Sequence, residues 1–192
     1  MPANPIKDPA FFSLLLKIDR ATADELRQKG CPECGGPLHW ANYARSPRGL
    51  PTGCGTEHST RLSLCCGREG CRKRLTPPSV RFLGQKVYVG AAVVLYSAMC
   101  HGITLTRIDQ LHHLFGVGRQ TLVSWRKWWL NDFVSSRFWK WGKGRLSSPP
   151  DTTNMPVSLL ERFAGTLSER IVQLLRFLAP MTGTPAPSSH AF

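Results

Sequence analysis

The chain is predicted to fold as a mainly α protein that carries a small β element, a trihelical helix-turn-helix unit and a C-terminal helix. Three observations predict this: two close cysteine pairs in a Gly-, Pro- and Arg-rich stretch, helical apolar periodicity between about residues 86 and 135, and a leucine-rich stripe beyond residue 157. The 192 residues leave room for one or two small domains. Lys and Arg number 25 against 12 Asp and Glu, a net charge of +13. Such an excess favours a polyanionic partner over a neutral small molecule, with nucleic acid ahead of an anionic membrane surface.

Residues 1–30 are expected to form one or two short helices, with Phe11, Leu14, Leu15 and Ile18 on one face and Gly30 as the stop. The apolar run Phe11 to Leu16 is short and is followed at once by Lys17, Asp19 and Arg20, so no secretory leader is expected. Seven cysteines, an odd number, fit a reducing cytoplasmic compartment.

Residues 31–80 have ribbon composition, with a strand-like run at Arg61 to Leu64. Here lie Cys31-Pro32-Glu33-Cys34 and Cys66-Gly67-Arg68-Glu69-Gly70-Cys71. A short turn holds two thiolates on one side of an ion, so two such turns can close a tetrahedral zinc shell. Cys31, Cys34, Cys66 and Cys71 are therefore expected to hold one structural Zn2+ in a zinc ribbon. The second pair leaves alternatives open, since Cys65 adjoins Cys66, and Cys54, His39 and His58 lie between the pairs. A full thiolate shell has no open position for water, so the ion is not expected to be catalytic. Cys100 reads as a buried thiol.

Residues 86–141 are expected to form the helix-turn-helix unit, with helices over about 86 to 100, 106 to 115 and 119 to 135. Tyr88, Ala92, Leu95 and Met99 share a face of the first helix, and its apolar run Val87 to Met99 is shorter than the roughly 20 residues of a membrane span. Thr106 can cap the second helix, Gly116 can supply the left-handed turn, and Val117, Leu122, Trp125 and Trp129 fall on the inward face. A recognition helix reads base edges from its N-terminal end, which places Arg119, Gln120, Thr121 and Ser124 toward a DNA groove. Arg126 and Lys127 suit phosphates, with Lys140 a further candidate. The run Arg72-Lys73-Arg74 is expected to contact the DNA backbone, with Arg81 and Lys86 extending it. His112 departs from the small residue usual before such a turn, and Gly118 from the usual capping Ser; the paired His112 and His113 read as packing and surface residues.

Residues 142–156 read as a linker and residues 157–180 as an amphipathic helix with the stripe Leu160, Phe163, Leu167, Ile171, Leu174 and Leu178. The stripe is expected to dock on its own protein, with a homodimer or a protein partner through residues 157–178 left open. Residues 181–192 are expected to be disordered.

In order and spacing, Cys31-Pro32-Glu33-Cys34-Gly35, Cys71-Arg72-Lys73-Arg74-Leu75-Thr76 and Phe115-Gly116-Val117-Gly118-Arg119-Gln120-Thr121-Leu122 resemble the N-terminal region of certain bacterial insertion-sequence transposases. The resemblance covers residues 31–141. It implies a segment that grips the terminal DNA of a mobile element and a bacterial, nucleoid-associated location. In that family a separate RNase H-like domain with spaced carboxylates cuts the strands; here Asp151, Glu161 and Glu169 follow on a linker and a leucine-rich helix. The expectation is thus double-stranded DNA binding without strand cleavage and without catalytic residues. Rival readings are a zinc-containing adaptor that binds protein through its C-terminal helix, a nuclease subunit using Asp109 or Asp132, and an RNA rather than a DNA target.

Overall fold

The computed structural model describes residues 5–83, 88–99 and 116–184. The fold is mainly helical with small antiparallel sheets, and it divides into two compact units, Met1–Gly90 with Leu175–Phe192, and Ala91–Leu174.

In the first unit a 3-10 turn, Pro5–Lys7, leads into α1, Pro9–Lys29. The Asp8 carboxylate accepts from the Ala10 amide (2.9 Å) and Pro9 stands where no amide partner is needed, so one uninterrupted helix starts here. Gly30, at φ 77°, ends it. The buried face is Phe11, Phe12, Leu15, Leu16, Asp19 and Ala23. Leu14, expected on that face, is 47% exposed, because the stripe runs through Phe12 and Leu16 instead.

Five short strands follow: β1 Leu38–Trp40, β2 Tyr43–Ala44, β3 Thr60–Arg61, β4 Leu64–Cys66 and β5 Arg74–Leu75, with the single-turn helix α2, Thr56–Ser59, before β3. β1, β4 and β5 form an antiparallel sheet with β4 central, Leu38 opposite Cys66 and Leu64 opposite Leu75. β2 and β3 form a separate antiparallel pair. The strand-like run Arg61 to Leu64 is thus split between two sheets. The break falls at Ser63, whose amide donates to the Asn42 side chain (3.0 Å) instead of to a neighbouring strand. A small apolar cluster of Leu38, Leu64 and Leu75 includes Cys31 and Cys66, with Leu26 of α1 packed against it.

Charged groups, not only apolar ones, hold this unit. Asp19 and Arg81 are buried and paired at 2.8 Å. Asp19 also accepts from Ser79 Oγ (2.6 Å) and the Val80 amide (2.7 Å), while Arg81 donates to the carbonyls of Glu57, His58 and Thr60. Burial lowers the Arg81 pKa and the Asp19 charge opposes that shift. Residues 181–184, expected to be disordered, are fastened here. Ser79 N donates to Thr182 Oγ1, Thr184 N donates to Thr76 O, and Arg61 Nη2 donates to Thr182 O (2.9 Å). Residues 185–192 lie outside the described residues.

The helix expected from residue 86 is shorter: α3 is Gly90–Met99, its first residue being the last of the first unit's N-terminal stretch. Tyr88 and Val89 sit in β-bridges, with the Val89 amide donating to Arg48 O (3.0 Å). Ala91 to Tyr96 are all buried, so the helix has no solvent face there and is not amphipathic. The helix expected over 106–115, Cys100, Lys86, Asp109, His112 and His113 lie outside the described residues. Gly116, at φ 64°, precedes α4, Arg119–Lys127, which runs on as a π turn, Trp128–Phe133. The wider turn puts both Trp129 and Phe133 inside, with ring centroids 5.0 Å apart.

Next comes α5, Arg137–Gly142, capped by Ser136 Oγ. The expected linker, 142–156, then contains 3-10 turns at Lys143–Arg145 and Thr152–Asn154 and ends on buried Met155 and Pro156. The single helix expected beyond it is two, α6 Val157–Leu160 and α7 Leu167–Leu178. Gly165, at φ 103°, breaks them apart, and Thr166 with Glu169 forms a reciprocal N-terminal cap (2.7 and 3.4 Å). Of the expected stripe, Leu160, Ile171, Leu174 and Leu178 are buried, Phe163 is half-buried, and Leu167, in the first turn of α7, is 39% exposed.

Candidate metal centre and basic surfaces

Two turns carry the four sulfurs. In the first, Gly35 N donates to Cys31 O (2.7 Å) and Cys31 N donates to Gly36 O (2.9 Å), with Gly35 at φ 68°. In the second, Cys71 N donates to Arg68 O (3.2 Å), and Gly70 (φ 83°) and Arg72 (φ 45°) take left-handed backbone to turn the chain into β5. Gly67 N donates to Pro37 O (2.8 Å), stitching the two turns together.

The result is a cluster in which the sulfurs of Cys31, Cys34, Cys66 and Cys71 all lie within 4.8 Å of one another. Cys31 and Cys71 are 3.8 Å apart and Cys34 and Cys66 3.5 Å. Four sulfurs at bonds of about 2.3 Å around a tetrahedral ion stand about 3.8 Å apart, so the cluster fits a metal ion without rebuilding the backbone. A Cβ on Gly36 would lie 3.2 Å from the Cys66 sulfur and 3.3 Å from that of Cys34. Arg68 Cβ would stand at 3.1 Å, so a side chain at this position would press on both sulfurs and on Arg68.

Electrostatics point the same way. Cys34 is lowered to about 7, first by the Gly36 amide and then by its sulfur neighbours. At Cys66 the Arg68 amide (3.4 Å) favours the thiolate, but burial and the adjacent sulfurs prevail and push it up to about 12. The Cys34 thiolate forms readily, whereas those of Cys66 and Cys71 do not. A bound cation removes that conflict, because each thiolate then faces positive charge.

The neighbouring candidates fall away from the cluster. Cys65 points at the Arg72 carbonyl (3.5 Å), on the opposite side of β4 from Cys66. His39 is exposed. His58 is buried, near Glu57 Oε1 (3.1 Å) and Ser13 Oγ (3.4 Å). Cys54 is half-buried, its thiol pushed up by burial and by Glu57.

The basic residues divide between solvent and structure. Arg72, Lys73 and Arg74 are exposed, with Lys73 3.3 Å from Glu33. Arg74 braces the sheet, donating to Ala41 O (2.6 Å) and Ser63 Oγ (3.0 Å). Arg81, expected in the same cationic stripe, is 1% exposed and cannot reach a phosphate; the buried Asp19 carboxylate has taken it inside. On α4 and its flanks, Val117, Leu122, Trp125 and Trp129 are buried while Arg119, Gln120, Ser124, Arg126 and Lys127 are exposed and Thr121 is half-buried. Lys140 is exposed on α5.

Gly36 was legible as a turn residue, but its place against two sulfurs depends on atoms far along the chain, and sequence reasoning missed the exposed rings Trp40 and Tyr43. The signal for the rings was two aromatics, Trp40 and Tyr43, set among small and polar residues between the cysteine pairs. Among the described residues no helix is long and apolar enough to cross a membrane. Comparison with known proteins finds no family model, no curated protein and no solved structure that matches the chain.

Proposed function

We propose that the protein is a zinc-stabilised double-stranded DNA-binding protein, related to the DNA-recognition regions of insertion-sequence transposases and acting without strand cleavage. The observation that carries this reading is α4. A left-handed Gly116 precedes it, one face is buried through Val117, Leu122, Trp125 and Trp129, and its N-terminal turn offers Arg119 and Gln120 to solvent. In a major groove Arg119 and Gln120 would address guanine and adenine edges, and Arg126 and Lys127 would sit over phosphates. The order of the cysteine pairs, basic run and helix supports the transposase relation.

Zinc is the ion best suited to four sulfurs in this spacing, and its bound shell would carry about two net negative charges. Exposed Arg72 and Lys73 stand on the same turn to offset them. The ion supplies no chemistry beyond holding β1, β4 and β5 to the first turn.

The test is binding of genomic fragments at several salt concentrations, with metal content measured on the same sample. A recurring duplex sequence retained above nonspecific background is expected, and Arg119→Ala with Gln120→Ala should relax its specificity at a cost of about 1–3 kcal/mol. Arg126→Gln should instead weaken all sequences alike and lower the salt slope by about one. Uniform binding that vanishes with salt, unchanged by the Arg119 and Gln120 substitutions, overturns sequence reading by this helix.

A further inference from the structure

Two large rings in the first unit are left in water: Trp40 is 42% and Tyr43 40% exposed. They flank the Ala41-Asn42 link that passes from β1 to β2. That link is fixed on both sides. Ala41 N donates to Ser63 O (2.8 Å), Asn42 Oδ1 accepts from Ser63 N (3.0 Å), and Ala41 O accepts from Arg74 Nη2 (2.6 Å). Ser63 itself is fully buried. The rings therefore stand on a backbone already held in place.

Each ring has a guanidinium on one face. Arg27 lies 5.6 Å from the Trp40 centroid and Arg74 5.3 Å from that of Tyr43. A cation over one face leaves the other for a flat partner and adds positive charge beside it. Beside Trp40 runs a groove of about 380 Å3 lined by Arg20, Asp24, Asn42, Glu57 and Thr60. Asp24 and Glu57 there can accept from base amino groups beside the Trp40 ring. Exposed Arg20 in the groove and exposed Arg72, next to Lys73 and Arg74 in the chain, offer cations to the backbone of a bound strand.

We propose that Trp40 and Tyr43 form a stacking platform for unpaired bases of single-stranded DNA. This assignment rests on the DNA-binding reading and deepens it, adding a single-strand site to a chain read as binding duplex. Stacking on an aromatic side chain is sequence-tolerant, and with flanking cations it is the usual way proteins hold unpaired strands. An apolar protein partner is disfavoured by the arginines behind both rings and the carboxylates in the groove.

The test compares binding of a labelled single strand of about 12 nucleotides with that of a blunt duplex. Three full-length proteins are used: the unaltered chain, Trp40→Ala with Tyr43→Ala, and Trp40→Phe with Tyr43→Phe. The alanine pair should weaken single-strand binding about 10- to 100-fold and leave duplex binding within about two-fold, while the phenylalanine pair retains both. In the unaltered protein, irradiation of a 5-iodouracil-substituted strand should give adducts at Trp40 or Tyr43, a readout independent of how the variants fold. Adducts only elsewhere, or single-strand binding unchanged in the alanine pair, overturn the platform. Duplex binding with no single-strand binding removes the platform alone, whereas failure of both removes the DNA reading with it. Tighter binding of the matching RNA strand overturns the assignment to DNA.

Discussion

Which of two adjacent thiols faces the sulfur cluster is settled by the alternation of a three-residue strand. In β4, Leu64 and Cys66 are buried and Cys65 points the other way, as the two-residue period of a strand requires. Cys66→Ser should therefore abolish binding of about one metal ion per chain, and Cys65→Ser should retain it, as elemental analysis of the two variants will show. Metal uptake also has a proton count. Cys34 is lowered to about 7, whereas Cys66 is pushed up to about 12 and Cys71 is also raised, so binding as thiolates should release at least two protons and affinity should fall as pH falls. Calorimetry in buffers of different ionisation enthalpy reads this number, and release of fewer than two counts against a four-thiolate shell. Spacing made Cys31, Cys34 and Cys71 legible as candidates; the choice between Cys65 and Cys66 was not, because it depends on strand register.

At the scale of elements, α4 was legible because its buried positions Leu122, Trp125 and Trp129 follow helical spacing and a glycine turn precedes them. The long helix expected beyond residue 157 was misread for the same reason: its leucines keep helical spacing across Gly165, although the backbone there is left-handed. The overlooked signal was Thr166-Leu167-Ser168-Glu169, a capping sequence that starts a helix in the middle of the stripe. Thr166→Ala should lower stability by about 1 kcal/mol in a urea titration at neutral pH. The Thr166 amide, then its hydroxyl, hold the Glu169 carboxyl below its ordinary value. That contribution is present above the ordinary carboxylate range and is lost as pH falls through the lowered value, so the difference between variant and parent should shrink in acid. A constant difference down to full protonation would show that the carboxylate takes no part.

For the molecule as a whole, the decisive interaction lies between Asp19 and Arg81, 62 residues apart, where no local pattern announces it. Read singly, Asp19 is the polar end of an apolar run and Arg81 one more cation. Together they join α1 to the backbone of α2 and β3. Removing one partner leaves a charge buried without its counter-ion, so Asp19→Asn or Arg81→Met should cost about 3–5 kcal/mol by denaturant unfolding, whereas Arg72→Gln should cost almost nothing. A loss below about 1 kcal/mol for both buried variants would mean that the unit does not depend on the pair.

The first unit is discontinuous in sequence. Its two stretches meet where Gly90 packs on Leu175 and where Thr182 and Thr184 bond to Ser79 and Thr76. A chain emerging from the ribosome therefore lays down the sulfur turns long before the segment that fastens Thr76 and Ser79 is synthesised, and the intervening unit must be translated first. Early capture of an ion by the turns would keep the nascent N-terminal half from unravelling during that interval. Splicing Gly90 to Leu175 by a short loop would shorten the delay, leaving a miniature protein with the sulfur cluster and that fastening segment.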